Sequence, residues 1–400
     1  MKIAILTSGI LPVPAVQGGA VENLIDFYLE YNDLHHLHDI TVYSVWHPDV
    51  VKHPALQSEV NHYVYLKTNT LWAKAKKMLH HLLHKDKEYY HHSVEFYLDW
   101  CIKKIRGQRF DAIIIENRPA FAIKLSQVLH TPIATHMEND FLNNTTQSYR
   151  LIHNATTGFI NTSDFISHQV STVASNKCNS FTVYNGIDVD RFYQATPFDR
   201  KILGMGERDF VIVYSGRLIQ EKGILELIRA TKKLNDIPDL KLLIIGANAY
   251  GMGQSKSPFI CKLEEESEPI KDKVIYTGFV SYNQIPSYLK MADIAVVPSM
   301  WDEPFGLTVV EAMAAGLPLI TTNSGGIPEI CTGVAEIVER EDIVVQLAKK
   351  IRDLYSQPAK RREMAHSALE RSRQFSKEKF AKDFFNALSA IANSGGGEYL

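Results

Sequence analysis

Cysteine is scarce in this chain, and its four residues, Cys101, Cys178, Cys261 and Cys331, stand far apart with no CxxC pair. Such spacing offers neither a disulfide framework nor a zinc site, and it suits a protein of a reducing compartment. An excess of charge is missing too. The 43 Lys and Arg against 45 Asp and Glu leave a formal net charge of -2, which argues against a general nucleic-acid binder while allowing local basic patches. No run approaches the roughly eighteen consecutive apolar residues that a membrane-crossing helix needs. The N-terminus, MKIAILTSGI, carries one Lys and no evident small-residue cleavage site, so it reads as a buried strand rather than a secretion signal. Finally, the chain has no G-x-G-x-x-G after a strand, no G-x-x-x-x-G-K-[ST] and no H-E-x-x-H. Dinucleotide oxidoreduction, P-loop hydrolysis and zincin chemistry lose their usual support with them.

What is present points to an α/β enzyme. Four hundred residues exceed the size at which one hydrophobic core stops growing, so two domains are expected. Residues 2–10 form a near-continuous apolar run, followed by a Pro/Gly-rich loop and an amphipathic stretch from Ala20 to Tyr31. Strand, loop and helix in that order open a doubly wound sheet. Further strands are expected in the first half at 40–45, 62–66, 111–116, 132–136 and 180–184. The second half repeats the alternation at 209–216, 240–246, 273–278, 294–299, 317–322 and 334–339. Two such series predict two Rossmann-like domains, 1–200 and 201–375, with the boundary near 199–208. A helical tail, 376–400, is expected to cross back to the first domain.

The strongest chemical signal is WDEPFGLTVVEAMAAGLPLITTNSGGIPEI, residues 301–330, just past an apolar strand. A helix starting at about Leu307 would point unpaired N–H groups at an anion, placing a phosphate around Phe305, Gly306, Leu307 and Thr308. Glu303 on the loop and Glu311 in the helix could accept bonds from sugar and ribose hydroxyls. The plainer account makes Glu303 a charge complementing the helix dipole and Glu311 a solvated helix residue. The second signal is YSGRLIQEKG, 214–223, again after a strand. Arg217 and Lys222 there could neutralise a departing diphosphate, or simply flank a turn as surface charges.

These segments, with the Gly18-Gly19 loop and YNGIDVDRF (184–192), resemble the GT4 family of retaining glycosyltransferases over nearly the whole chain. The resemblance implies the GT-B fold, two Rossmann-like domains facing each other across a cleft. It implies that Arg217 and Lys222 bind the donor diphosphate, that Glu303 and the backbone of Phe305 and Gly306 hold the donor sugar, and that Glu311 holds the ribose. Gly18 and Gly19 would let the first loop approach the phosphates. Backbone around Tyr276 to Val280, Gly278 and Phe279 included, would flank the base. His136, after a first-domain strand, matches a family histidine near the reacting sugar, although a lone histidine is more often a packed residue. Whether Glu138, Asn139 or Asp140 meets the acceptor is open. Asp188-Val-Asp190 looks like a metal-binding DxD but belongs to the NGID segment, where the first Asp would fix a turn. No catalytic metal and no cofactor are expected.

The implied reaction moves a hexose-type sugar, with retention, from a nucleotide-diphosphate donor, UDP-sugars foremost, to a glycan, lipid-linked or protein acceptor in polysaccharide or glycoconjugate assembly. No nucleic acid takes part. Residues 71–92 read as a basic amphipathic helix, with Leu71, Ala75, Met78 and Leu79 on one face and Lys74, Lys77, His81, Lys85 and Lys87 mostly on others. It would touch an anionic membrane surface, placing a cytoplasmic enzyme on the inner face, or it would be a solvated cover of the core. His80 and His84 suggest metal binding only weakly. A sugar-nucleotide epimerase, a phosphorylase, or a non-catalytic nucleotide-sugar-binding subunit would share the architecture.

Overall fold

Short apolar runs separated by amphipathic stretches become parallel strands joined by helices, because a strand buried on both faces needs helices to cover it. A computed structural model of the protein describes residues 1–68, 70–83, 92–173, 179–247 and 257–394. The first half holds β1 (Lys2–Leu6), β2 (Asp39–Val45), β3 (Asn61–Leu66), β4 (Ala112–Glu116), β5 (Ile133–Met137), β6 (Gly158–Asn161) and β7 (Asn179–Thr182). They form one sheet in the order β3-β2-β1-β4-β5-β6-β7. All pairings are parallel, with Ile5 opposite Val42 on one side and Ile114 on the other. The second half holds β8 (Phe210–Ser215), β9 (Leu240–Ile245), β10 (Val274–Gly278), β11 (Ile294–Val297), β12 (Leu319–Thr322) and β13 (Glu336–Val338), ordered β10-β9-β8-β11-β12-β13.

The chain divides into two compact units, Met1–Gly186 with residues from Lys377 onward, and Ile187–Ser376. The division falls at Gly186 rather than near 199–208. Residues 187–200 pack into the second unit. There Phe192 is buried, Phe198 stacks on Tyr288 with ring centroids 4.4 Å apart, and Arg200 donates through Nε to the Met291 carbonyl. Helix Lys377–Ser394 lies in the first unit beside helix Ala20–His35. Phe384 stacks on Tyr28 at 4.4 Å, and Phe380, Leu388 and Ile391 are fully buried with Ile3 and Ile5. Tyr97, Leu98, Phe121 and Ile113 form the core on the other face of that sheet.

Two expectations need correction. The first strand ends at Leu6, so Thr7 to Ile10 belong to the loop. Strand β6 was missed because its four residues, GFIN, sit between Thr156-Thr157 and Thr162-Ser163 and look like a turn. Its glycine is a packing requirement. A Cβ on Gly158 would lie 2.6 Å from Ile391 Cγ1, so the tail helix could not approach that strand. Among the described residues no helix is long and apolar enough to cross a membrane.

Candidate active site

In an open parallel sheet a crevice forms where the strand order reverses, outside the carboxyl ends of the two strands concerned. In the second sheet that switch lies between β8 and β11, and the two sequence motifs occupy its two sides. The loop after β8 carries Arg217 and Lys222, and the loop after β11 carries Ser299, Trp301, Glu303, Phe305 and Gly306. Lys222 Nζ bridges them, 2.6 Å from Glu303 Oε1 and 2.9 Å from Oε2. The Ser299 hydroxyl donates to Glu303 Oε1, and the Lys222 ammonium lies 5.4 Å from the centre of the Trp301 ring. Glycine makes the approach of the loops possible. A Cβ on Gly223 would sit 1.8 Å from the Pro298 carbonyl oxygen, and the Met300 amide donates to the Glu221 carbonyl at 2.8 Å.

Arg217, on the same loop after β8, is exposed. The Tyr214 hydroxyl donates to the Arg217 carbonyl at 2.8 Å. Burial pushes the Tyr214 phenol up, Glu303 adds to the rise and Arg217 opposes it, so Tyr214 lies in the field of both charges. Helix Leu307–Ala314 begins at Gly306, whose φ of 118° sets the entry. The first amides of a helix have no intrahelical partner and carry its positive end. Gly326 N–H donates to the Glu303 carbonyl at 2.8 Å, fastening the Ser324 to Gly326 loop behind the site. Gly278 and Phe279 leave the edge strand β10, with Phe279 exposed. Gly278 joins the site through a backbone row, since Gly246 N–H donates to the Gly278 carbonyl and Gly216 N–H to the Ile245 carbonyl.

Glu311 is buried rather than solvated. Burial raises its pKa to about 8, while a hydrogen bond from Tyr282 and the charge of Arg191 pull the other way. Arg191 lies 5.1 Å over the Tyr282 ring and donates to Asn283 Oδ1 at 2.6 Å. Sequence reasoning assigned no role to Tyr282, in the loop after β10, or to Arg191, which lies inside the YNGIDVDRF segment. Asp188 Oδ1 accepts the Arg191 amide and caps helix Val189–Gln194. Among the described residues no group of three or more His, Cys, Asp or Glu could hold a metal ion.

The first unit has its own switch point, between β1 and β4. Gly18 and Gly19 precede helix Ala20–His35, and a Cβ on Gly19 would meet Glu22 Oε2 at 2.2 Å. Glu22 is buried, which raises its pKa, and it accepts the Ser8 hydroxyl at 3.1 Å. His136 does not reach the surface. It is fully buried on β5 against Phe380 and Phe384, with Nδ1 2.8 Å from Glu116 Oε2 and Nε2 2.9 Å from Glu138 Oε1. Burial would lower its pKa, but the two carboxylates outweigh it and raise it to about 10, making His136 an imidazolium at neutral pH.

Of the basic helix, Leu71–Leu83 is helical, and Leu71, Trp72, Met78 and Leu79 are exposed. Residues 84–91 and the side chains of Lys76, Lys77, His80 and His81 lie outside the described residues.

With this geometry in hand, residues 195–371 match the family described as glycosyl transferases group 1. Spore coat protein SA of Bacillus subtilis is 26% identical over 403 residues, covering 96% of this chain and 98% of that protein. Lipopolysaccharide 1,2-N-acetylglucosaminetransferase of Salmonella typhimurium is 31% identical over 170 residues, 40% of this chain and 45% of that one. Among solved structures, Anabaena HepE in complex with UDP and glucose superposes with a TM-score of 0.74 at 19% identity, covering 98% of this chain and all of that one. Sucrose-phosphate synthase from Thermosynechococcus elongatus gives 0.74 at 19% identity over 98% of this chain and 99% of that one. The fold is that of the GT-B glycosyltransferases, two parallel-sheet α/β domains.

Proposed function

With the chain a group 1 glycosyltransferase over residues 195–371, we propose that it is a retaining enzyme of the GT4 type that moves a hexose-type sugar from a UDP-sugar to a glycan, lipid-linked or protein acceptor. The observation that carries this reading is the Lys222–Glu303 pair spanning the switch point of the second sheet. A sugar–phosphate bond cleaves when the charge gathering on the leaving diphosphate is stabilised by groups already in place. Lys222, Arg217 and the amides entering helix Leu307–Ala314 are those groups. Glu303, held by Lys222 and Ser299, accepts hydroxyls of the donor sugar, aided by the backbone of Phe305 and Gly306. Glu311 takes the ribose and the Gly278-Phe279 backbone flanks the base. In the first unit Gly18 and Gly19 let backbone approach a phosphate. The UDP seen with HepE supports the choice of donor.

Retention follows from a front-face path in which the bond loosens before the acceptor hydroxyl enters on the same side and gives its proton to the departing phosphate oxygen. Two cationic side chains and a helix entrance do the work that a metal does elsewhere, so activity persists in excess EDTA. The exposed apolar residues of helix Leu71–Leu83 rest on an anionic membrane surface. The deciding experiment is release of nucleoside diphosphate by the wild type but not by Glu303→Ala or Lys222→Ala, with NMR of the product anomer. Equal release by the variants, or an inverted linkage, contradicts the proposal.

A further inference from the structure

The buried ions at the end of β5 do more than fill the core. His136 has no exposed surface, whereas Glu138, two residues on, keeps about 8%, and Asn139 and Asp140 follow it out to solvent. A ligand at the strand ends would therefore reach Glu138 before His136. That carboxylate is held from two sides, and the backbone of the same residue is tied down as well. His136 Nε2 lies 2.9 Å from Oε1, Asn185 Nδ2 donates to Oε2 at 2.6 Å, and the Glu138 amide donates to Asn117 Oδ1 at 3.3 Å. Behind His136 the chain of contacts continues through Glu116 to the Tyr28 hydroxyl, which donates at 2.9 Å.

The network is not saturated. Asn185 Oδ1, on the amide that donates to Glu138 Oε2, is buried without a partner. Buried polar atoms are normally satisfied, and unmet ones mark a place where a ligand or water completes the set. A carboxylate beside a free amide oxygen accepts hydroxyl donors, which is what a sugar presents.

Resting on the glycosyltransferase reading, the geometry points to Glu138 as the group accepting a sugar hydroxyl at the strand ends of the first unit, with His136 as a positioning residue that holds its carboxylate. The role that sequence reasoning gave to His136 passes one step outward. Glu116 and His136 fix the carboxylate before the ligand arrives, the kind of preorganisation that makes such contacts effective.

The test uses the full chain and whichever of UDP-glucose, UDP-galactose, UDP-N-acetylglucosamine and GDP-mannose yields nucleoside diphosphate fastest. Glu138→Gln keeps the shape and loses the charge. It should lower kcat on the order of 100-fold, with unchanged affinity for UDP, and Glu138→Asp should recover part of the loss. His136→Gln should cost a similar factor, and the double variant should be no worse than the poorer single one, because one residue acts through the other. If His136→Gln does not fold, Glu116→Gln, which loosens the imidazole without removing it, should show a smaller fall in kcat. Loss in both donor hydrolysis and transfer to methyl glycosides assigns the hydroxyl to the donor sugar. Loss confined to transfer assigns it to the acceptor. Loss in neither, or multiplicative losses in the double variant, overturns the inference. A chain that releases nucleoside diphosphate from no donor contradicts the glycosyltransferase reading itself, and the inference falls with it.

Discussion

Lys222 Nζ stands within 2.9 Å of both carboxylate oxygens of Glu303, tying the loop after β8 to the loop after β11. Exposed ion pairs contribute little, but the Glu303 side chain is only 8% exposed, and a buried carboxylate that loses its cation is costly. Discounted for the partial exposure of Lys222, Lys222→Ala should lower stability by about 2 kcal/mol, or about 5 °C in Tm for a unit of this size. Calorimetry with and without UDP measures both this and the second consequence, that UDP no longer raises the Tm of the variant. An unchanged response to UDP would remove Lys222 from the diphosphate site.

Two glycines near the site should respond differently to alanine. At Gly325 (φ +56°) a Cβ would lie 2.3 Å from the Glu303 carbonyl oxygen, whereas at Gly278 (φ +71°) it would meet nothing within 4 Å. Gly278→Ala carries only backbone strain, about 1 kcal/mol. Gly325→Ala must also displace Glu303, so its cost should reach about 3 kcal/mol with loss of activity. Thermal denaturation of the two variants checks the order, and equal losses would contradict the crowding seen at Gly325.

Glu311 gives a pH dependence whose sign is fixed. Burial raises its folded pKa from 4.5 to about 8, so between those values the native state holds a proton that the unfolded chain has released. Stability therefore falls as pH rises through that window, by up to about 1.4 kcal/mol per pH unit. Glu311→Gln removes the dependence and should be more stable than wild type at pH 8, with little difference at pH 4.5. Calorimetry at the two pH values decides, and parallel curves would mean that Glu311 is ionised in the unliganded protein.

The parallel strands were legible because a strand covered on both faces is apolar without interruption, as in IAVV of β11 and LLII of β9. β6 was not, because GFIN is short, contains glycine and stands between Thr and Ser residues. Lys222 and Glu303 could be picked out from residue type and from their place after strands, yet their direct contact belongs to the folded loops. His136 was placed on the right strand, but periodicity does not tell whether a residue at a strand end turns outward or inward. The helix Lys377–Ser394 covers it, and that contact spans more than 240 residues of sequence. Glu116, closing the run AIIIE, was an unread signal, since a carboxylate ending a buried strand requires a partner.

Helix Leu71–Leu83 leaves Leu71, Trp72, Met78 and Leu79 exposed. If this face rests on a membrane, the chain should co-sediment with vesicles containing anionic lipid. Trp72→Ser with Leu79→Ser, or removal of charge at Lys74, Lys76 and Lys77, should abolish this. Sedimentation indifferent to anionic lipid and to these changes would leave the helix as a solvated surface element.

On the proposed function the carboxyl ends of β8 and β11 hold a diphosphate, and a crystal structure of the full chain with UDP decides whether they do. The pyrophosphate should lie against Lys222, Arg217 and the amides of Gly306 to Thr308, with the ribose hydroxyls on Glu311. A pyrophosphate bound away from these groups, with the Lys222–Glu303 pair unchanged and Glu311 still closed over by Tyr282, would contradict it.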